Sequence, residues 1–163
     1  MDVGNCRHRA NAAECELRMA VAALDDQAAH RLRHSLVTWL RAHVDDDAAQ
    51  IAALLAGELL ANVSMHAKPP RGGPPDVTLS AYLLPGRLVV EVGDTDPRLP
   101  MRRAHGSDDE GGRGLALLDG FATQWAARAH RRGKDVWFTV PATSGGSGHA
   151  EAASDETADR CRV

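Results

Sequence analysis

The stretch that decides the fold is Asp47-Ala-Ala-Gln-Ile-Ala-Ala-Leu-Leu-Ala-Gly-Glu-Leu-Leu-Ala-Asn-Val-Ser-Met-His-Ala67, which reads as one helix. With Ile51 at zero and about 100° per residue, Glu58 and Asn62 lie within about 20° of Ile51. The apolar stripe around them contains Leu54, Leu55 and Met65. A buried, unpaired carboxylate costs several kcal/mol or takes up a proton. We therefore expect Glu58 and Asn62 to line a binding site and not a dry core.

Length and composition restrict the classes of protein to which the chain can belong. Its 163 residues, 44% of them hydrophobic, fit one domain with a proper core. The formal charge of −3 argues against binding to nucleic acid or to a membrane surface, since both require a basic face. The N-terminal segment has no apolar signal core, and the three cysteines have no metal-ligand spacing. We expect a cytoplasmic protein with free thiols.

Patterns along the chain predict two helices, five strands and a short third helix. Acidic residues at 25–26 and 45–47 mark the starts of the two long helices, the first ending near His43. The predicted strands are 14–21, 77–84, 88–93, 122–129 and 135–140, and the short helix is 115–121. Short turns make consecutive strands antiparallel, which predicts an α+β fold with helices on one face of a mostly antiparallel, mixed sheet. Residues 1–13 and 142–163 are predicted to be flexible, leaving one domain at 14–141.

One candidate group of functional residues is Glu58, Asn62 and His66, spaced four apart on one helix. An amide oxygen at Asn62 is a hard ligand suited to Mg²⁺, and Glu58 could deprotonate a hydroxyl group. The alternative is a satisfied polar network in the core, which the three residues taken alone slightly favour.

Two further features lie later in the chain. Asp94 directly follows an apolar strand, where a carboxylate can accept a hydrogen bond from an exocyclic amine such as that of adenine; it could equally be a turn residue. Gly111-Gly112-Arg113-Gly114-Leu115 opens a helix, where backbone N–H groups and the helix dipole favour phosphate. The alternative is a hinge. The loop is neither a Walker A motif nor a Rossmann fingerprint.

Taken in order, these three features resemble the GHKL ATPase superfamily. Within it, the chain is most similar to the small anti-sigma-factor serine/threonine kinases and their actinobacterial relatives. The resemblance spans roughly residues 14–141. It rests on the stretches Glu58–Ala67, Val90–Pro100, Gly111–Asp119 and Gly133–Phe138.

The resemblance implies a Bergerat-type two-layer sandwich that binds ATP with Mg²⁺. Asn62 matches the magnesium-binding asparagine, Glu58 the general base and Asp94 the aspartate that reads adenine. Residues 111–115 match the phosphate loop, with 95–112 as a lid. Three positions depart from the family pattern: Met65 stands where a basic residue is common, Thr95 where a glycine is usual, and Asp135 in place of a threonine.

Two functions from different classes follow from this resemblance. In the first, the protein is a kinase that transfers the γ-phosphate of ATP to a serine or threonine of an anti-anti-sigma (STAS-type) partner, and as a homodimer sequesters a sigma factor. In the second, it is a binding module that sequesters a regulator with little or no turnover. A detached histidine-kinase catalytic domain is a third interpretation.

Overall fold

The computed structural model describes residues 15–69, 72–100 and 113–144. Along the chain lie β1 (Cys15–Val21), α1 (Asp26–His43), α2 (Asp46–His66), β2 (Val77–Leu84), β3 (Arg87–Asp94), α3 (Arg113–Phe121), β4 (Gln124–His130) and β5 (Gly133–Pro141). The strands form one sheet in the order β1-β2-β3-β5-β4. The predicted α+β fold class is confirmed. All four strand pairings of the described residues are antiparallel, so the sheet is not mixed there.

The two long helices begin where the acidic residues predicted. The side chain of Asp25 accepts a hydrogen bond from the backbone N–H of Ala28 at 2.6 Å, and Asp45 accepts from Ala48 at 3.0 Å. Each carboxylate thereby satisfies a backbone donor that has no partner within the helix. Val44 alone lies between the end of α1 and the N-cap of α2, so the two helices pack as neighbours over the sheet.

The face of α2 that enters the core differs from the predicted stripe. Its buried residues are Ala48, Ala49, Ala52, Leu55, Ala56, Leu59, Leu60 and Val63. These centre about 110° away from Ile51, so Glu58 and Asn62 lie at the margin of the buried face. Leu54 and Met65 are 45% and 55% exposed. The prediction gave weight to large apolar side chains, whereas four alanines supply half of the buried face.

Strand alternation carries side chains from β3 and β5 to the helix-covered side of the sheet. Val90, Val92 and Asp94 share that face of β3, and their partners across the ladder are Phe138, Val136 and Lys134. Asp94 therefore continues a row of buried apolar positions, and Lys134 lies opposite it. This register places the side chains of Asp94 and Lys134 together at the end of two central strands.

The segment after β5 is attached to the junction between α1 and α2. Ala142 is buried, and Thr143 donates to Asp45 Oδ2 from its backbone N–H at 2.7 Å and from its hydroxyl at 3.0 Å. Ser144 forms a backbone bridge with Val44. The structure thus describes the first three residues of the predicted tail, while 1–13 and 145–163 lie outside the described residues.

Candidate functional site

A cavity of about 580 Å³ lies where the C-terminal half of α2 meets the ends of β3 and β5 and the start of α3. Its lining residues are Leu59, Asn62, Val63, His66, Ala67, Val92, Asp94, Asp96, Arg98, Leu99, Pro100, Leu115, Lys134 and Val136. The walls are mostly apolar and the polar groups are few. This composition is typical of a small-molecule site, in which a few polar contacts orient a ligand between apolar surfaces.

Asp94 forms the polar floor of this cavity. Its side chain is 1% exposed and pairs with Lys134, whose Nζ lies 2.8 Å from Oδ2 and 3.0 Å from Oδ1. The backbone N–H of Asp96 donates to Oδ1 at 2.7 Å. The buried carboxylate of Asp94 therefore has both a charged partner and a backbone donor, as a buried polar group requires.

Asp96 holds the next part of the chain against the end of α2. It accepts from the backbone N–H of Lys68 at 2.8 Å and from Arg98, through the backbone N–H at 3.0 Å and through the guanidinium. Hydrogen bonds from the Arg98 side chain are the main reason that the pKa of Asp96 lies well below its ordinary value. Arg98 Nη2 also donates to the His66 carbonyl at 3.1 Å. The start of the predicted lid is therefore hydrogen-bonded to the end of α2, through Asp96 to Lys68 and through Arg98 to His66.

The other end of the site is formed where α3 begins beside α2. Gly114 is buried, and a Cβ atom at this position would lie 2.7 Å from Asn62 Nδ2 and 3.6 Å from Glu58 Oε2. Only a glycine lets the first turn of α3 approach α2 this closely. The first backbone N–H groups of a helix have no partner within it, so this close approach brings donors of a kind that can bind an anion beside Asn62 and Glu58.

The structure brings most of the predicted site residues together. Asn62, His66, Asp94 and Leu115 line the cavity, and Gly114 lies close to Asn62. Glu58 lies beside Gly114 but is not among the lining residues. Gly111 and Gly112 lie outside the described residues, and of Arg113 only the backbone is described, as the first residue of α3. The assigned roles of these residues stay predictions.

Sequence reasoning missed Lys134, Asp96 and Arg98 as site residues. It singled out Asp135 at the start of the last strand, but that side chain points to the opposite face of the sheet, near Arg128 and His130 at 3.7 and 3.3 Å. The strand register contained the signal that was needed, because alternation from the buried Phe138 and Val136 leads to Lys134 and not to Asp135.

The donor set is compatible with a magnesium nucleotide. No cluster of three or more His, Cys, Asp or Glu side chains able to hold a metal occurs in the described ranges. Mg²⁺ at nucleotide sites commonly uses one or two protein oxygens and takes the remaining ligands from phosphate and water. Asn62 lines the cavity, and its amide carries a side-chain oxygen of this kind.

Comparison with known proteins identifies the family. Residues 21–140 match the histidine kinase-like ATPase domain. The chain belongs to this family. The ATPase domain also matches the histidine kinase domain from Erythrobacter litoralis EL346 blue-light activated histidine kinase, with a TM-score of 0.47 and 17% identity over 82% of this chain and 68% of that one. A search of curated proteins finds no match.

Family membership makes the chain an ATP-binding domain of the GHKL superfamily. Domains of this kind are typically soluble. Among the described residues, α2 is long and apolar enough to cross a membrane, but eight of its residues are buried in the protein core. A buried core helix meets the same criteria of length and composition. The cytoplasmic location stays a prediction.

Proposed function

We propose that this ATPase domain is a protein serine/threonine kinase of the anti-sigma-factor type. It would transfer the γ-phosphate of ATP to a hydroxyl of an anti-anti-sigma partner and, as a homodimer, sequester a sigma factor. The observation that carries the proposal is the contact of Gly114 with Asn62 and Glu58. The first turn of α3, the amide of Asn62 and the carboxylate of Glu58 lie together there, and we assign to them the binding of phosphate, the binding of Mg²⁺ and the role of general base.

The residues have distinct roles in the proposed reaction. Asp94 accepts a hydrogen bond from the exocyclic amine of adenine, while Leu59, Val63 and Leu115 contribute apolar wall around the ligand. Glu58 takes the proton of the partner's hydroxyl group while the hydroxyl oxygen attacks the γ-phosphorus. The bond between the γ-phosphorus and the bridging oxygen breaks, and ADP leaves. Mg²⁺, bound through Asn62, would neutralise charge on the phosphates. Positioning and electrostatics supply most of the catalysis in phosphoryl transfer.

The position of Glu58 favours a second candidate function. Glu58 is partly exposed and does not line the cavity. Asp94 and Asn62, the residues assigned to adenine and to Mg²⁺, do line it. A domain that binds ATP and captures a regulator without transferring phosphate would need Asp94 and Asn62 but not Glu58. Loss of the Glu58 carboxylate would therefore impair the kinase but not the binding module.

Labelled ATP with a candidate STAS-type partner separates them. For a kinase, Glu58→Ala lowers phosphate transfer by about 100-fold or more, the usual contribution of a general base, with ATP binding nearly unchanged. Asn62→Ala weakens Mg²⁺-dependent ATP binding under either function. Glu16→Ala, a change at an exposed β1 residue paired with Arg18, is the matched control and leaves both measurements unchanged.

Three results would contradict the kinase proposal. One is partner capture without transfer by the wild-type chain, which supports the binding module. Another is unchanged transfer in Glu58→Ala, which removes the proposed base. The third is a phosphorylated product that is lost in acid, because phosphohistidine is acid-labile and phosphoserine is not.

A further inference from the structure

The Lys134–Asp94 pair leaves specific hydrogen-bonding capacity facing the cavity. Both residues line it, and the Lys134 side chain is only 12% exposed. Of the three protons on Nζ, one reaches the Asp94 carboxylate and one the carbonyl of Asp96 at 3.2 Å. The remaining proton has no partner among the hydrogen bonds described for Lys134.

The carboxylate has matching free capacity. Asp94 Oδ1 accepts from both the Asp96 N–H and Lys134, whereas the contact described for Oδ2 is Lys134 alone, at 2.8 Å. Each carboxylate oxygen offers about two acceptor positions. The floor therefore presents one donor next to one acceptor, with the apolar pair Val92 and Val136 beside them on the same face.

We propose that Lys134 is a base-reading residue, donating from Nζ to the ring nitrogen N1 of adenine while Asp94 Oδ2 accepts from the exocyclic amine. On this edge, adenine carries a donor at the exocyclic amine and an acceptor at N1, both bonded to C6. They are complementary to the acceptor Asp94 Oδ2 and the donor Lys134 Nζ. The inference rests on the ATP binding within the proposed function and not on phosphate transfer. A hydrogen bond from an ammonium group is stronger than one between neutral partners, so N1 becomes a principal determinant of affinity.

The test is equilibrium binding of ATP and 1-deazaadenosine triphosphate, which has a C–H group in place of N1. The wild-type protein should bind the analogue about tenfold more weakly or worse, the range expected for a hydrogen bond to a charged group. In Lys134→Met the ratio of the two affinities falls to near one, because the donor is gone. Lys68→Met, a change at the only other lysine of the chain, keeps the wild-type ratio.

The outcomes that overturn the proposal are distinct. If the wild-type protein binds ATP and 1-deazaadenosine triphosphate equally well, the proposal is wrong. This result needs no variant, so the test holds even where Lys134→Met fails to fold beside the buried Asp94. A ratio that persists in Lys134→Met, with both nucleotides weakened equally, shows that Lys134 only neutralises Asp94. Absence of binding by any purine nucleotide overturns it as well, whereas absence of phosphate transfer leaves it intact.

Discussion

The two ends of the cavity are built differently. At the end where we propose that the adenine base binds, called here the base end, Asp94 and Asp96 are buried. Each accepts several hydrogen bonds from neighbours on β5, on the loop after β3 or at the end of α2. At the end where we propose that the phosphates bind, called here the phosphate end, Glu58 and Asn62 are partly exposed and lie close to α3 at Gly114. The base end is thus ordered by the protein's own hydrogen bonds, which favours selection of the base by a preformed surface. The phosphate end is suited to a ligand that brings its own charge and metal.

The largest effect is expected from breaking the base end with Asp94→Asn. The amide keeps the shape of the side chain but loses the ion pair with Lys134 and one acceptor. ATP affinity should fall by about 100-fold, since a hydrogen bond involving a charged group contributes about 1.5–3 kcal/mol. Calorimetric or fluorescence titration measures it.

The matched control is Asp135→Asn, the same change one residue beyond Lys134 but on the opposite face of the sheet. It should leave ATP affinity unchanged. If both variants weaken ATP equally, or neither does, the assignment of the base end to the helix-covered face is wrong.

A smaller effect is expected from breaking the phosphate end with Gly114→Ala. The added methyl group would meet Asn62 Nδ2 at 2.7 Å, so α3 or the amide must move. Overpacking of this kind costs about 1–3 kcal/mol in total, and about 1.4 kcal/mol of it expressed in binding lowers the affinity for Mg²⁺-ATP about tenfold. Affinity without Mg²⁺ should change less, because Asn62 is the proposed metal ligand.

Gly120→Ala tests the same substitution in the same helix. A Cβ atom at that position meets nothing within 4 Å, so the variant should bind ATP as the wild type does. Equal losses in the two glycine variants would contradict the close approach as the cause.

The smallest effect on ATP affinity is expected from Asp96→Asn, which acts on the support of the base end. Its folded pKa is depressed, mainly by Arg98, so the carboxylate stabilises the fold fully above its ordinary value of about 3.9, and this stabilisation is lost as pH falls through the folded pKa. The free energy of unfolding should drop by about 2 kcal/mol at neutral pH. Denaturant titrations should show the difference between wild type and variant narrowing below about pH 3.9. A difference that is constant from neutral to strongly acidic pH would contradict this cause.

Local signals in the sequence predicted the elements well. The N-caps Asp25 and Asp45 and the hairpin turn at Pro85 and Gly86 depend on residues close in sequence, so their chemistry is readable without the fold. The orientation of α2 was not readable in the same way. Which side of a helix faces the core depends on what packs against it, and here alanines fill close contacts that larger side chains could not.

The candidate site likewise contains residues that local sequence reveals and residues that only the fold brings together. Asn62 and Asp94 were identified because their polar side chains interrupt or end apolar runs, which is visible in one dimension. Lys134 lies 40 residues from Asp94 and meets it only through the pairing of β3 with β5. The network of Asp96 and Arg98 depends on the path of the chain after β3 and on the end of α2. Alternation along β5 indicates which face Lys134 is on, but no spacing rule in the sequence marks its partner Asp94 or the contacts of Asp96 with Arg98.

The attachment of Thr143 to Asp45 has a practical consequence for handling the protein. It fixes the end of the described chain at the first turn of α2. The cavity lies at the last turns of that helix. At about 1.5 Å per residue, α2 is roughly 30 Å long. A tether or fluorophore joined directly after Ser144 therefore connects to the fold at the end of α2 opposite the cavity. Surface immobilisation through this end would leave the cavity facing solution.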